Sequence, residues 1–375
     1  MQILTVDVGT GTQDVFVFDP ELDIENGFKL IMPSPTLIVY RQLKAATERG
    51  QAVLLTGVMM GGGPSQWAAR DHLRAGHRLY ATPDAARTFN DDMDWVQREM
   101  GVRLVSADEA RALNDVTHLD LKDFDFDSLA AAFAAFGLRL APDAVGVAVF
   151  DHGDSPPGYS DRQFRFDYLD KRIRKCNRLS AFAYLADEAP PIMTRLKAVA
   201  ASYNGAAPLV VMDTAPAAVL GARFDPVAAA HERAIFCNVG NFHTLAFRMG
   251  PRDIEGVFEH HTGEIDQRKL DSLIDRLADA TLKHADVFDD MGHGALMYAD
   301  DALPNPPLIV TGPRRSLMSG SGHNPYFAVP FGDMMIAGCF GLLSAMGEVL
   351  PEGEVREAIR ESLKGKAGKP PWEVN

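Results

Sequence analysis

Cysteine is scarce in this sequence: Cys176, Cys237 and Cys339 are the only three in 375 residues. Their odd number and wide spacing exclude a disulfide framework. No CxxC pair or close trio is present to hold zinc or an iron–sulfur cluster. A reducing cytoplasm fits this usage. Positive charge is also in short supply, with 37 Lys and Arg against 51 Asp and Glu and a net charge of −14. Such a chain repels a phosphate backbone, so nucleic acid is not expected as a partner. The scarce sign gathers once, in DKRIRKCNR, where Lys171, Arg172, Arg174, Lys175 and Arg178 stand close together. That segment reads as a solvated helix face or as an anion-binding patch. Unbroken apolar runs are missing too. The longest candidate, Tyr326 to Met346, is interrupted by Pro330 and Asp333 and reads as a buried helix from Asp333 onward, not as a membrane span. The opening MQILTVDV carries no charged n-region or cleavage site, so no signal peptide is expected.

What is present is an ordinary globular composition, 46% apolar and 23% charged, at a length that favours two domains. Apolar strands recur: ILTVDV, DVFVFD, AVGVAVF and PLVVMD in the first half, AIFCNV, HTLAFRM and PLIVTG in the second. DFDSLAAAFAAFG reads as a helix capped by Asp125 or Asp127 and stopped by Gly137. GEIDQRKLDSLIDRLADATL places Leu270, Leu273, Ile274 and Leu277 on one helical face. The stretch from about 58 to 143 is less regular and reads as a small α/β insertion. The expected organisation is a first lobe over 1–225 with that insertion, a second lobe over 226–345 ending in a return helix, and a C-terminal helix and tail over 346–375. Fraying is expected from Gly365 to Asn375.

One device occurs in both halves: a strand, a Gly-containing turn and a returning strand. In VDVGTGTQDVFVF, Gly9 and Gly11 are expected to permit positive φ and close approach of a ligand. Thr10 and Thr12 add hydroxyl donors to an anion nest, and Asp7 ends the strand facing a phosphate-held metal. IFCNVGNFHTLAF repeats the logic with Asn238, Gly240, Asn241, His243 and Thr244, Asn241 being tolerant of left-handed geometry. Either turn alone also reads as a plain hairpin.

In their order, these segments resemble the actin-like ATPase superfamily of actin, sugar kinases and Hsp70. VDVGTGTQDVFVF is similar to its first phosphate motif, VVMDTAPAAVLGA to its first connecting segment, and AIFCNVGNFHTLAF to its second phosphate motif. PLIVTGPRRSLM is similar to the adenosine motif and GDMMIAGCFGLLSA to the second connecting helix. The resemblance implies an α/β, two-lobed (ribonuclease H-like) fold with ATP and Mg²⁺ between the lobes. It implies that Asp7 holds the metal through water, that Gly9 to Thr12 wrap the β-phosphate side, and that Asp213 orders metal-bound water. Gly240, Asn241 and Thr244 would touch the γ-phosphate, while Gly312 and Arg315 would border adenosine. More narrowly, the chain resembles a bacterial and archaeal family carrying the label "putative pyruvate formate-lyase activating enzyme". Two departures stand out. The clustered cysteines of radical activating enzymes are absent, as are those of the ATP-driven activators of acyl-CoA dehydratases. Asn238 stands where the second phosphate motif usually has Asp, and a neutral amide cannot accept a proton.

Other residues offer chemistry. DHGD places Asp151, His152 and Asp154 beyond a central strand, where Asp151 reads as a general base or as a cap for backbone N–H groups. In EHHT an extended backbone puts Glu259 and His261 on one face and His260 opposite. With His152, Glu259 and His261 are candidate metal ligands, and His293 or Asp290 could join them; packing is the plainer reading. Gly61 to Gly63 form an anion cradle, a lid or a plain loop. Three functions are compatible with these patterns: a small-molecule kinase or ATPase, a nucleotide-gated regulator of a partner protein, or a metal-dependent enzyme that has lost ATP.

Overall fold

The computed structural model describes residues 1–365 and 368–374. The first strand, β1 (Ile3–Val8), pairs antiparallel with β2 (Thr12–Phe18), which pairs antiparallel with β3 (Phe28–Pro33). The chain then leaves this sheet. It builds a separate parallel sheet from β4 (Ala52–Gly57), β5 (Leu79–Ala81), β6 (Arg103–Leu104) and β7 (Val116–Leu121), in the order β6-β5-β4-β7. It returns with β8 (Ala144–Val149), β9 (Ala183–Leu185) and β10 (Leu209–Asp213), completing a first sheet of order β3-β2-β1-β8-β10-β9.

The second lobe repeats this plan with β11 (Ala234–Val239), β12 (His243–Met249), β13 (Ile254–His261), β14 (Gly294–Met297), β15 (Leu308–Thr311) and β16 (Tyr326–Phe327). Its sheet has the order β14-β13-β12-β11-β15-β16. In each lobe an antiparallel meander is extended by a strand parallel to its first member, β8 beside β1 and β15 beside β11. Two such sheets, with the insertion in the first lobe, constitute the α/β, two-lobed actin-like ATPase (ribonuclease H-like) fold.

The insertion is wider at its start than the sequence predicts. AVLLTG is as apolar as a central strand, yet it is β4 of the insertion's own sheet, so the departure falls between β3 and β4. At the other end the helix Phe126–Ala134 already packs on the first sheet through Leu129 and Phe133. Asp125 caps that helix, accepting from the Ser128 amide at 3.1 Å, and Gly137 follows at φ 82°.

β8 reads AVGVAV and is buried throughout because both its faces are covered. On one side lies a core with Phe124, Phe133, Leu196 and Val199. On the other lies the helix Ala337–Val349, which packs Cys339, Phe340, Leu342 and Leu343 against the first lobe. Between lobes, Phe150, Ala215 and Val219 meet Phe236, Leu245 and Phe247 in one apolar cluster, joined by Phe166 and Leu169 of the helix Asp161–Lys175. The basic run at the end of that helix is a solvated face: Arg174 pairs with Asp170, Arg178 with Glu348, and Arg172 lies over the Tyr184 ring. Among the described residues no helix is long and apolar enough to cross a membrane. Part of the expected frayed tail (366, 367 and 375) lies outside the described residues. Its described part is anchored, with the Lys369 amide donating to the Glu21 carbonyl at 2.7 Å.

Candidate active site

The two repeated turns meet across the junction of the lobes. Each is a hairpin with a two-residue tip, Thr10–Gly11 in one and Asn241–Phe242 in the other. Each is closed by the same bond: the Gly9 amide donates to the Thr12 carbonyl at 2.9 Å, and the Gly240 amide to the His243 carbonyl at 3.0 Å. Neither Gly9, Gly11 nor Asn241 has positive φ, contrary to expectation. Gly11 marks the close approach of the two turns, since a Cβ there would meet the end of the Asn241 side chain.

Beside the turns a cleft of about 370 Å³ opens, lined by Asp7, Gly9, Thr10 and Thr12 of the first lobe and Asn238, Gly240, Asn241 and Gly312 of the second. The insertion closes one side with Gly61–Gly63 and Trp67, whose ring lies 5.8 Å from that of Phe242. Gly61 is tied down, its amide donating to Asp123, which also holds Arg195 at 2.7 Å. Gly11, Thr244 and Arg315 are outside the lining. Thr244 is buried and shares a 2.9 Å hydroxyl contact with Thr262.

The cleft is acidic. Its lining holds five aspartates (7, 14, 91, 151 and 161) against Arg87 and Arg195, which are themselves paired with Asp91 and Asp123. Asp7 and Asp14 face each other in the β1–β2 register. Burial pushes the Asp7 carboxyl up to about 6, despite a hydrogen bond from Thr214. Burial and the neighbouring Asp7 push Asp14 up to about 8, and its Oδ1 is buried without a partner. Burial and repulsion from Asp154 raise Asp91 to about 6.

Asp151 also lines the cleft, but both its oxygens are engaged. Oδ1 accepts from the Gly153 amide at 2.8 Å and Oδ2 from the Leu196 amide at 2.9 Å, so it holds the start of the helix Thr194–Ser202. Each oxygen thus accepts one amide bond, and burial raises the carboxyl to about 6. Asp213 and Glu259 are withdrawn from the cleft by Arg165, a fully buried guanidinium. Arg165 donates to Asp213 at 2.6 Å, to Glu259 at 2.6 and 2.7 Å, and to the Asp151 carbonyl at 2.7 Å. It thereby latches β10 of one lobe to β13 of the other. The metal roles expected of Asp213 and Glu259 give way to this ion triad, which satisfies charges that would be costly to bury alone.

β13 is extended, so Glu259 and His261 do share a face, opposite Leu245 and His243 of β12. His152 hydrogen-bonds to His293, and His261 donates from Nδ1 to the Met291 carbonyl at 2.7 Å. His243 is the member that sequence reasoning missed. It stood in the second turn motif, and only the β12–β13 register brings it opposite His261.

Residues 60–317 match the model of a family described as "Putative pyruvate format-lyase activating enzyme (DUF1786)". No curated protein matches the chain. Among solved structures, the ethanolamine utilization protein EutJ from Carboxydothermus hydrogenoformans is 11% identical, with 91% of this chain and 89% of that one covered and a TM-score of 0.30. The ROK hexokinase from Thermus thermophilus is 12% identical, with coverage of 68% and 48% and a TM-score of 0.23. The PPX-GPPA enzyme of Aquifex aeolicus is 8% identical, with coverage of 96% and 99% and a TM-score of 0.21.

Proposed function

We propose that this chain, which belongs to the DUF1786 family, binds a Mg²⁺–ATP complex in the interlobe cleft and acts as a small-molecule kinase or ATPase. One observation carries the reading: two equivalent hairpin turns, one from each lobe, meet beside a cleft that also contains Asp7 and Asp14. Such a pair can embrace a polyphosphate from both sides, with catalysis resting on positioning and charge neutralisation. The acidity of the cleft makes the metal essential. The ionised aspartates of the lining would repel bare ATP, and the two arginines are already paired. Mg²⁺ takes few protein carboxylates and keeps several waters, so Asp7 and Asp14 suffice to hold it. Gly312 would border the nucleoside.

A second reading, a nucleotide-gated regulator of a partner protein with little turnover, is favoured by one feature. Asn238, whose amide donates to Thr311 at 3.1 Å, is neutral and cannot accept a proton from water.

Titration calorimetry with ATP, with and without Mg²⁺, on the wild type and Asp7→Ala tests the shared premise. Mg²⁺-dependent binding lost in the variant is expected; no binding by the folded wild type rejects both readings. Turnover that rises with an added small-molecule acceptor then selects the kinase, and binding with negligible turnover selects the regulator.

A further inference from the structure

A second cluster borders the cleft. His152 follows β8 in the first lobe, His243 opens β12, and His293 precedes β14. One ring nitrogen from each lies within 4.8 Å of the other two. His293 is fully buried. His152 Nε2 and His293 Nε2 are 2.9 Å apart and share one proton as a hydrogen bond. His243 Nε2 is buried beside this pair with no partner. A buried imidazole nitrogen is normally paired, so this orphan in a cluster of three histidines calls for an occupant.

Imidazole nitrogens ligate through a lone pair, and the cluster presents three of them with no carboxylate among them. Two nitrogens bound to one zinc at about 2.0–2.1 Å stand roughly 3–3.4 Å apart, so the 2.9 Å pair is near ligating separation and a side-chain adjustment of His243 completes the set. The scaffold is stiff. Arg165 holds the Asp151 carbonyl next to His152, and the His293 amide donates to the Glu259 carbonyl at 2.8 Å. Phe150 stacks on His243 with centroids 4.1 Å apart. His152 and His243 both line the cleft, whereas His293 lies behind them.

We propose that His152, His243 and His293 form a site for a divalent transition-metal ion of the zinc type, with its remaining coordination position open to the cleft for water or a substrate oxyanion. Three imidazoles without a carboxylate suit zinc, cobalt, nickel or ferrous iron and disfavour Mg²⁺. Three protein ligands and an open position are the pattern of reactive rather than structural zinc sites. The inference does not rest on nucleotide binding.

The test uses the full chain without an affinity tag, stripped with chelator, desalted and titrated with Co²⁺ or Zn²⁺. One equivalent per chain is expected, with visible cobalt bands of four- or five-coordinate intensity that Zn²⁺ removes and excess Mg²⁺ does not. His243→Gln and His152→Ala should each weaken binding by ~100-fold or more, beyond the 10–100-fold typical of losing an outer-shell partner. Far-UV circular dichroism confirms that each variant is folded. His231→Ala, at an exposed position, and Asp7→Asn should bind Co²⁺ as the wild type does. Substoichiometric binding by the folded wild type, or equal binding by the wild type and both cluster variants, would overturn the proposal. Retention of Co²⁺ by Asp7→Asn with loss of Mg²⁺–ATP separates this site from the nucleotide site.

Discussion

At the residue scale the most consequential side chain outside the histidines is Asp14. Its carboxyl is raised from 3.8 to about 8 by burial and by Asp7. Between these values the native state keeps a proton that the unfolded chain has released. Stability therefore falls as pH rises through this window, and the loss is complete above about 8. Asp14→Asn removes the penalty. Thermal melts should show the variant matching the wild type near pH 4 and exceeding it at pH 8, by roughly 2–4 °C for each kcal/mol relieved. A wild type whose melting point does not fall between these conditions would count against the buried pair. A cation at Asp7 and Asp14 competes with those protons, so Mg²⁺ affinity should rise from pH 5 to 8 in the wild type and lose most of that dependence in the variant. Arg165 gives the contrasting case. Arg165→Met leaves Asp213 and Glu259 buried and unpaired, and urea denaturation should register a loss of about 3–5 kcal/mol. The sequence named Asp7, Asp14's neighbour, because a strand ending in Asp before a Gly turn is a local pattern. It gave Asp213 and Glu259 metal readings that Arg165 forestalls, because that partner lies 48 and 94 positions away.

At the element scale the helices Thr214–Ala222 and Ala337–Val349 cross with their backbones touching. A Cβ on Gly341 would overlap the Ala217 carbonyl, and one on Gly221 the Ala337 carbonyl. Alanine normally gains about 1 kcal/mol over glycine inside a helix. At Gly341 the overlap is with backbone, which cannot swing aside, so Gly341→Ala should destabilise by about 1–3 kcal/mol. Gly347 in the same helix faces the flexible Arg360 and the Ile359 side chain at 3.2 Å, so Gly347→Ala should be near neutral. Equal effects in denaturation would show that propensity, not the crossing, sets the outcome. The central strands were readable because burial on both faces makes β8, and β10 up to its final Asp213, uniformly apolar. The origin of the insertion was not readable, since AVLLTG has the same composition and only its pairing with β5 and β7 removes it from the first sheet. The three-residue β9 and two-residue β6 are too short to show a period, and they exist through their partners β10 and β5.

For the whole molecule the question is which part moves when a ligand enters. Domains in one chain are free to move unless their interface is large and apolar. Here the lobes share a buried hydrophobic cluster and the Arg165 latch, so a wide rotation would expose Phe150, Phe236 and Phe247 and part an ion triad. The insertion is differently placed. It has its own sheet and its own core, and it reaches the second lobe at Trp67, half exposed against Phe242. Closure should therefore be a movement of the insertion over the cleft. Mg²⁺–ATP is expected to change the emission of Trp67, distinguished from Trp95 and Trp372 by a Trp67→Phe variant that loses the signal and keeps most of the affinity. Small-angle scattering should show little change in the radius of gyration. A large scattering change with a silent Trp67 would place the hinge between the lobes instead, and would require Arg165 to release either Asp213 or Glu259 during each cycle.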